Sequence, residues 1–235
     1  ADPHTMRPAP LMILGAALAA LLAAPAAWSA RPLVSETADS LARGDCELET
    51  AVASTRVRGQ DSTGSLDALV ACGIGMGTQI SGAYNRARSG GLTGQAVSLG
   101  GKTNLVEAQD GRIGWAVAYG ASLDKAPSAG WKHGGTRVFG VATRSFTDSL
   151  IGHFNLGWLR TESDRLNSTT WSLGVEGDGP VRWAADVFGD DRSRAWVSAG
   201  LVWPLAEKLT ANLAYAQQFE RPRVHQWTLG FKFDF

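Results

Sequence analysis

Proton transfer near neutral pH is most often the work of histidine, and this 235-residue chain has four: His4, His133, His153 and His225. None has a serine or cysteine at the spacing of a local catalytic motif, and no Gly-x-Ser-x-Gly elbow, phosphate-cradling glycine loop or zinc-ligand spacing occurs. No metal, cofactor or catalytic residue is expected. The charged residues are better organised. Lys102, Arg112 and Arg144 fall in three successive segments, followed by His153 and Asn155. Glu47, Glu49 and Asp67 lie near the start, and Asp186 and Asp190 lie further on. Glu176 and Arg182 flank a turn around Gly179 and could face each other. Basic and acidic groups on opposite walls of a passage would set up a transverse field and orient a charged or dipolar solute. The competing possibility is that these charges pair and fill the interior. Cys46 and Cys72 complete the reactive inventory.

The elements that position these groups are read from periodicity. In the last eleven residues, Trp227, Leu229, Phe231, Phe233 and Phe235 occupy every second position, and polar residues or glycine fill the others. Period two is a strand with one apolar and one polar face. Twelve such segments recur: 46–57, 66–76, 78–88, 93–106, 112–123, 136–146, 150–160, 169–177, 181–189, 195–204, 208–219 and 225–235. Ten are left if two weak ones are misread. Short turns follow the even segments and mostly longer loops follow the odd ones, as in membrane barrels. One phase is bulky, as in Trp115/Val117/Tyr119, Phe139/Val141 and Phe154/Leu156/Trp158, and the other carries small and charged residues. Cys46 and Cys72 share the bulky parity and the same end of the first hairpin, so a disulfide is expected between them.

The fold class expected is therefore all-β: a transmembrane antiparallel up-and-down β-barrel over residues 46–235, bulky phase toward lipid. Residues 1–5 read as an expression remnant and residues 6–29 as a signal peptide, with an apolar run too short to span a bilayer comfortably and a cut before Ala30. Residues 30–45 read as a periplasmic lead-in. Tyr84, Tyr119, Trp158, Trp171, Tyr215 and Trp227 gather near one rim, and Trp115, Trp183, Trp203, Phe233 and Phe235 near the other, as two aromatic girdles would. A formal net charge of zero gives no reason to expect a nucleic-acid partner. The aromatic ending through Phe231, Phe233 and Phe235 resembles the C-terminal strand of bacterial outer-membrane barrels, which implies an assembly signal read by the barrel-assembly machinery. It also implies a Gram-negative outer-membrane location, and an even strand number returns both termini to the periplasm.

The stretch from Arg31 to Glu49, which includes Arg31-Pro-Leu-Val, Gly44 and the Glu47-Leu-Glu49 strand start, is similar to the mature N-terminus of the MetA-pathway phenol-degradation family of transporter-like barrels. Ser35-Glu36-Thr37 stands where that family has Thr-Asp-Asp. The resemblance implies outer-membrane passage of small polar or aromatic compounds, and it supplies no site residues. The function expected is a monomeric channel or transporter embedded in outer-membrane lipid, with weak anion preference from Lys102, Arg112 and Arg144. A non-transporting structural or partner-binding barrel is the first alternative. An outer-membrane lipid hydrolase is the second.

Overall fold

The computed structural model describes residues 33–57, 59–109, 111–179, 181–219 and 223–235; residues 1–5 and the expected signal peptide, 6–29, lie outside the described residues. Twelve strands follow one another: β1 (Cys46–Val57), β2 (Thr63–Gly75), β3 (Thr78–Ser89), β4 (Leu92–Val106), β5 (Gly114–Lys125) and β6 (Lys132–Thr147), then β7 (Leu150–Thr161), β8 (Leu166–Gly177), β9 (Arg182–Asp190), β10 (Trp196–Ala206), β11 (Leu209–Gln218) and β12 (Val224–Asp234). Each pairs antiparallel with its sequence neighbours, and β1 pairs with β12 to close the barrel. Closure satisfies every strand edge, which an apolar environment demands. The seam runs from Glu47 opposite Asp234 to Val57 opposite Val224.

The bulky phase points outward on most strands. Leu99 is 75% exposed, and Trp115, Phe154, Leu173, Leu201 and all five alternating residues from Trp227 to Phe235 are exposed as well. Small and polar residues such as Ala116, Ser172, Ala184, Ser198 and Asn212 are buried on the inner face. Cys46 and Cys72 are direct register partners with Cα atoms 4.1 Å apart, and a disulfide joins them. Register shifts near the ends of β2, β4, β6 and β10 lie at the rim where β1 begins, and a further one, between β5 and the start of β6, lies at the other rim. Bulges at a barrel rim bend strands and end pairing.

Connection lengths depart from the expected alternation at two places. β3 and β4 are joined by a two-residue turn in which Gly90 and Gly91 have φ of 54° and 84°. Positive φ at both central residues is the turn whose twist matches a hairpin, and glycine adopts it without strain. At the other rim, the β4–β5 connection spans residues 107–113.

β6 has the opposite phase to the one its sequence suggests. Val141 is fully buried and Phe139 packs inside, whereas Val138 and Phe146 are exposed on the outer face. The reason is a segment that the barrel encloses. Residues 33–45, expected as a lead-in, run along the inner wall from β9 to the base of β2 before turning into β1. Ala38 of this strap is fully buried and packs with Ala116, Val141 and Phe139. An apolar patch inside the wall is stable because the strap covers it.

Candidate functional site

The strap is held mainly by side chains of the wall reaching its backbone. Asp186 on β9 accepts from the Val34 and Ser35 amides at 2.6 and 3.1 Å. Asn155 on β7 accepts from the Glu36 amide at 2.7 Å and donates to the Glu36 carbonyl at 3.1 Å. Thr143 on β6 accepts from the Ala38 amide at 2.8 Å, and Asn104 on β4 donates to the Ala38 carbonyl at 2.8 Å. Lys102 donates to the Thr37 carbonyl at 2.9 Å and lies 3.4 Å from the Glu36 carboxylate. Gln79 on β3 accepts from the Leu41 amide at 3.0 Å. Buried backbone groups need partners; here the wall supplies what a sheet ladder would.

Two glycines make room. A Cβ at Gly73 would overlap the Leu41 and Ala42 carbonyls, and one at Gly174 would meet the Ser35 side chain at 2.8 Å. Beside the strap a cavity of about 190 Å³ remains. Its charged lining includes Glu36, Asp39, Glu47, Glu49 and Glu176 against Lys102 and Arg137.

The expected site residues divide accordingly. Lys102, Asn155 and Asp186 grip the strap. His153 is buried, with Nδ1 3.0 Å from the Thr143 hydroxyl and Nε2 3.2 Å from the Glu176 carboxylate. Glu47 is buried and pairs with Lys232 at 2.7 Å, while Glu49 is buried beside it. Asp67 is on the inner face but accepts from Asn85 at 2.5 Å and Ser65 at 3.3 Å, away from the strap. Asp190 ends β9 and accepts from the Arg192 and Ser193 amides in the following loop.

Three residues are not where the pattern put them. Arg112 lies in the β4–β5 connection and is exposed. Arg144 is on the outer face, 5.8 Å from the Phe146 ring centroid, because β6 has the opposite phase. Arg182 is exposed and donates to Asp178 at 3.1 Å, while Glu176 faces Ala184 in the register. The continuous basic strip therefore does not exist, and Lys102 is its one inward member.

Arg137, Gln79, Asn104 and the strap itself escaped the sequence reading. Arg137 carried a signal. It shares the parity of Phe139 and Val141, and an arginine facing lipid near mid-bilayer costs about 2–4 kcal/mol. Its presence on the supposed lipid face argues for the inverted phase that the structure shows.

Thr143, His153 and Glu176 form a hydroxyl, imidazole and carboxylate in series, the order of groups in a hydrolytic triad. The Thr143 oxygen already accepts from Ala38 and is buried in the lumen under the strap. It faces no lipid. The arrangement fastens the strap.

The sequence model of the family described as "Uncharacterised conserved protein UCP029691" matches residues 17–217. No curated protein matches the sequence. Among solved structures, a KdgM porin in complex with disordered oligogalacturonate aligns with a TM-score of 0.62 at 9% identity, covering 80% of this chain and 99% of that one. The NanC porin aligns with a TM-score of 0.55 at 11% identity, covering 79% and 98%. The outer membrane phospholipase A from Escherichia coli aligns with a TM-score of 0.54 at 7% identity, covering 80% and 92%. Porins and an enzyme share this architecture, so function is argued from the site.

Proposed function

We propose that this chain, which belongs to the family described as Uncharacterised conserved protein UCP029691, is an outer-membrane channel for small polar solutes, constricted by its own residues 33–45. The carrying observation is how the strap is held. Its hydrogen bonds come from wall side chains that a polar solute can also use, and an open cavity of about 190 Å³ adjoins it. The porins named above, one of them seen with oligogalacturonate, are barrels of this architecture that support the reading by analogy.

Five carboxylates against two cations line the cavity, so cations pass more readily than anions. This replaces the weak anion preference that depended on Arg112 and Arg144. The MetA-pathway resemblance adds small aromatic compounds as a second cargo class; the polar lining favours solutes with a hydrogen-bonding group. The barrel acts as a monomer with both termini periplasmic, and Phe231, Phe233 and Phe235 serve as the handle for the assembly machinery. Their outward position beside the β1 seam, where Phe235 and Cys46 exchange backbone hydrogen bonds of 2.8 and 2.9 Å, supports that role.

The second reading is a sealed, non-transporting barrel. The complete burial of Leu33, Ser35 and Ala38 favours it. Solute flux into proteoliposomes separates the two. A channel admits a small amine, and a variant with a loosened strap admits it faster. No flux from either protein, with the barrel folded, would sink the channel reading.

A further inference from the structure

The outer surface carries a feature that the lumen does not explain. At the rim where β1 ends, outward-facing residues of β11, β12, β1, β2 and β3 form rows set by the register. Gln217, His225 and Arg56 are successive partners. One row inward, Tyr215, Trp227, Ser54, Gly64 and Arg88 follow one another. The next row is Leu213, Leu229, Val52, Leu66 and Arg86. Charge thus gives way to aromatic rings and then to aliphatic side chains over three rows, with Arg88 and Arg86 extending the charge down one flank.

A groove of about 620 Å³ opens over the first row, with Arg56, Arg223 and His225 on its lining beside one carboxylate, Asp61. Tyr215 packs against Trp227 with ring centroids 4.9 Å apart and gives the groove an aromatic floor. Ser54 and Gly64 leave the middle of the second row low, and a Cβ at Gly64 would meet nothing closer than 4.0 Å. Among the described residues, no ion pair engages Arg56, Arg86, Arg88 or Arg223. Arg56 and Arg223 are exposed beyond the Tyr215–Trp227 pair, the place of lipid phosphates above an aromatic girdle, and Arg88 flanks that pair in the second row. Guanidinium groups match phosphate oxygens two at a time.

We propose that this rim is a binding site for the phosphate headgroup of an anionic lipid, held by Arg56, Arg223 and Arg88 with the acyl chains lying over Leu213, Leu229 and Val52. The site requires the barrel to lie in a bilayer and does not require it to conduct. Native mass spectrometry of purified protein with phosphatidylglycerol or phosphatidylcholine tests it. The wild type should retain phosphatidylglycerol preferentially. A surface arginine contributes about 1 kcal/mol toward an anionic lipid, roughly fivefold in affinity. Arg223→Gln, outside every strand, should weaken retention about fivefold, and the triple variant with Arg56→Gln and Arg88→Gln about a hundredfold. Equal retention of the two lipids by the wild type, or unchanged phosphatidylglycerol retention by Arg223→Gln, would overturn the proposal. Displacement of the lipid by millimolar inorganic phosphate would assign the site to a free anion and also overturn it.

Discussion

Replacing Asp186 by alanine should release the far end of the strap while leaving the barrel closed. One carboxylate oxygen of Asp186 accepts from two strap amides at 2.6 and 3.1 Å, and its other oxygen accepts from the Ser198 hydroxyl. Hydrogen bonds to charged groups contribute about 1.5–3 kcal/mol each. Because the two amides share one acceptor, about 3 kcal/mol is a fair total for the pair, roughly a hundredfold in the docked-to-released ratio. The strands lose no backbone pairing, so the variant should still fold and show the usual heat-dependent gel shift of a closed barrel. Hydrogen exchange is the direct assay. Amides of residues 34–38 should exchange about two orders of magnitude faster in the variant if local opening governs them, with the strand amides unchanged. Small-amine flux into proteoliposomes should rise in parallel. Unchanged exchange at Val34 and Ser35 would show that Asp186 does not hold the strap and refute the energetic argument. Faster exchange without faster flux would keep the strap's energetics and remove its role as the constriction.

Gly174→Val should also displace the strap, since its Cβ alone would meet Ser35 at 2.8–2.9 Å; accelerated exchange confined to residues 33–36 is the expected result, and a crystal structure with Ser35 in place would contradict it. In planar bilayers under a salt gradient, the wild type should be cation-selective, and Glu49→Gln should reduce that selectivity. Arg144→Glu should leave it unchanged, because Arg144 is on the outer face. The difference should shrink in 1 M salt, where the Debye length is about 3 Å. Peptides containing Cys46 and Cys72 should be found linked by non-reducing mass spectrometry. With a sequence separation of 26 residues, Cys46→Ser with Cys72→Ser should destabilise by at most about 3.5 kcal/mol in the chain-entropy model. An unchanged unfolding midpoint would mean that the closed hairpin already restricts the chain.

The barrel was legible because its two-residue period is a local property repeated on each strand. The disulfide was legible for the same reason, since shared parity and depth brought Cys46 and Cys72 to one register pair. The strap was not. Residues 33–45 have no period, because their backbone bonds to Asp186, Asn155 and Thr143 rather than to a ladder, and those partners are over a hundred residues away. Missing the strap inverted β6. Phe139 and Val141 look lipid-facing only when nothing apolar is known to lie inside. The same inversion puts Arg144 on the outer face, and Arg112 leaves the lumen because β5 begins two residues later than its alternation suggests. Parity places Lys102, Asn155, His153 and Asp186 in the interior, but it does not show that Lys102, Asn155 and Asp186 are the strap's own hydrogen-bond partners or that His153 bonds Thr143 and Glu176 behind them.

The disulfide has a bearing on any solute that uses this lumen. It joins the first residue of β1 to its β2 partner, immediately after the strap ends. The root of the strap is thereby pinned to the wall while its far end depends on hydrogen bonds. A released strap cannot diffuse away; it returns at an effective concentration on the order of millimolar, as for a short flexible tether. It is a built-in competitor for Asn155, Lys102 and Asp186. A solute must outbind this resident ligand, so its apparent affinity is its intrinsic affinity scaled by the fraction of time the strap is away. A solute would then displace the strap only when its concentration, divided by its own dissociation constant, exceeds the strap's docked-to-released ratio, so the threshold would be set by the strength of the strap's hydrogen bonds rather than by the width of the barrel.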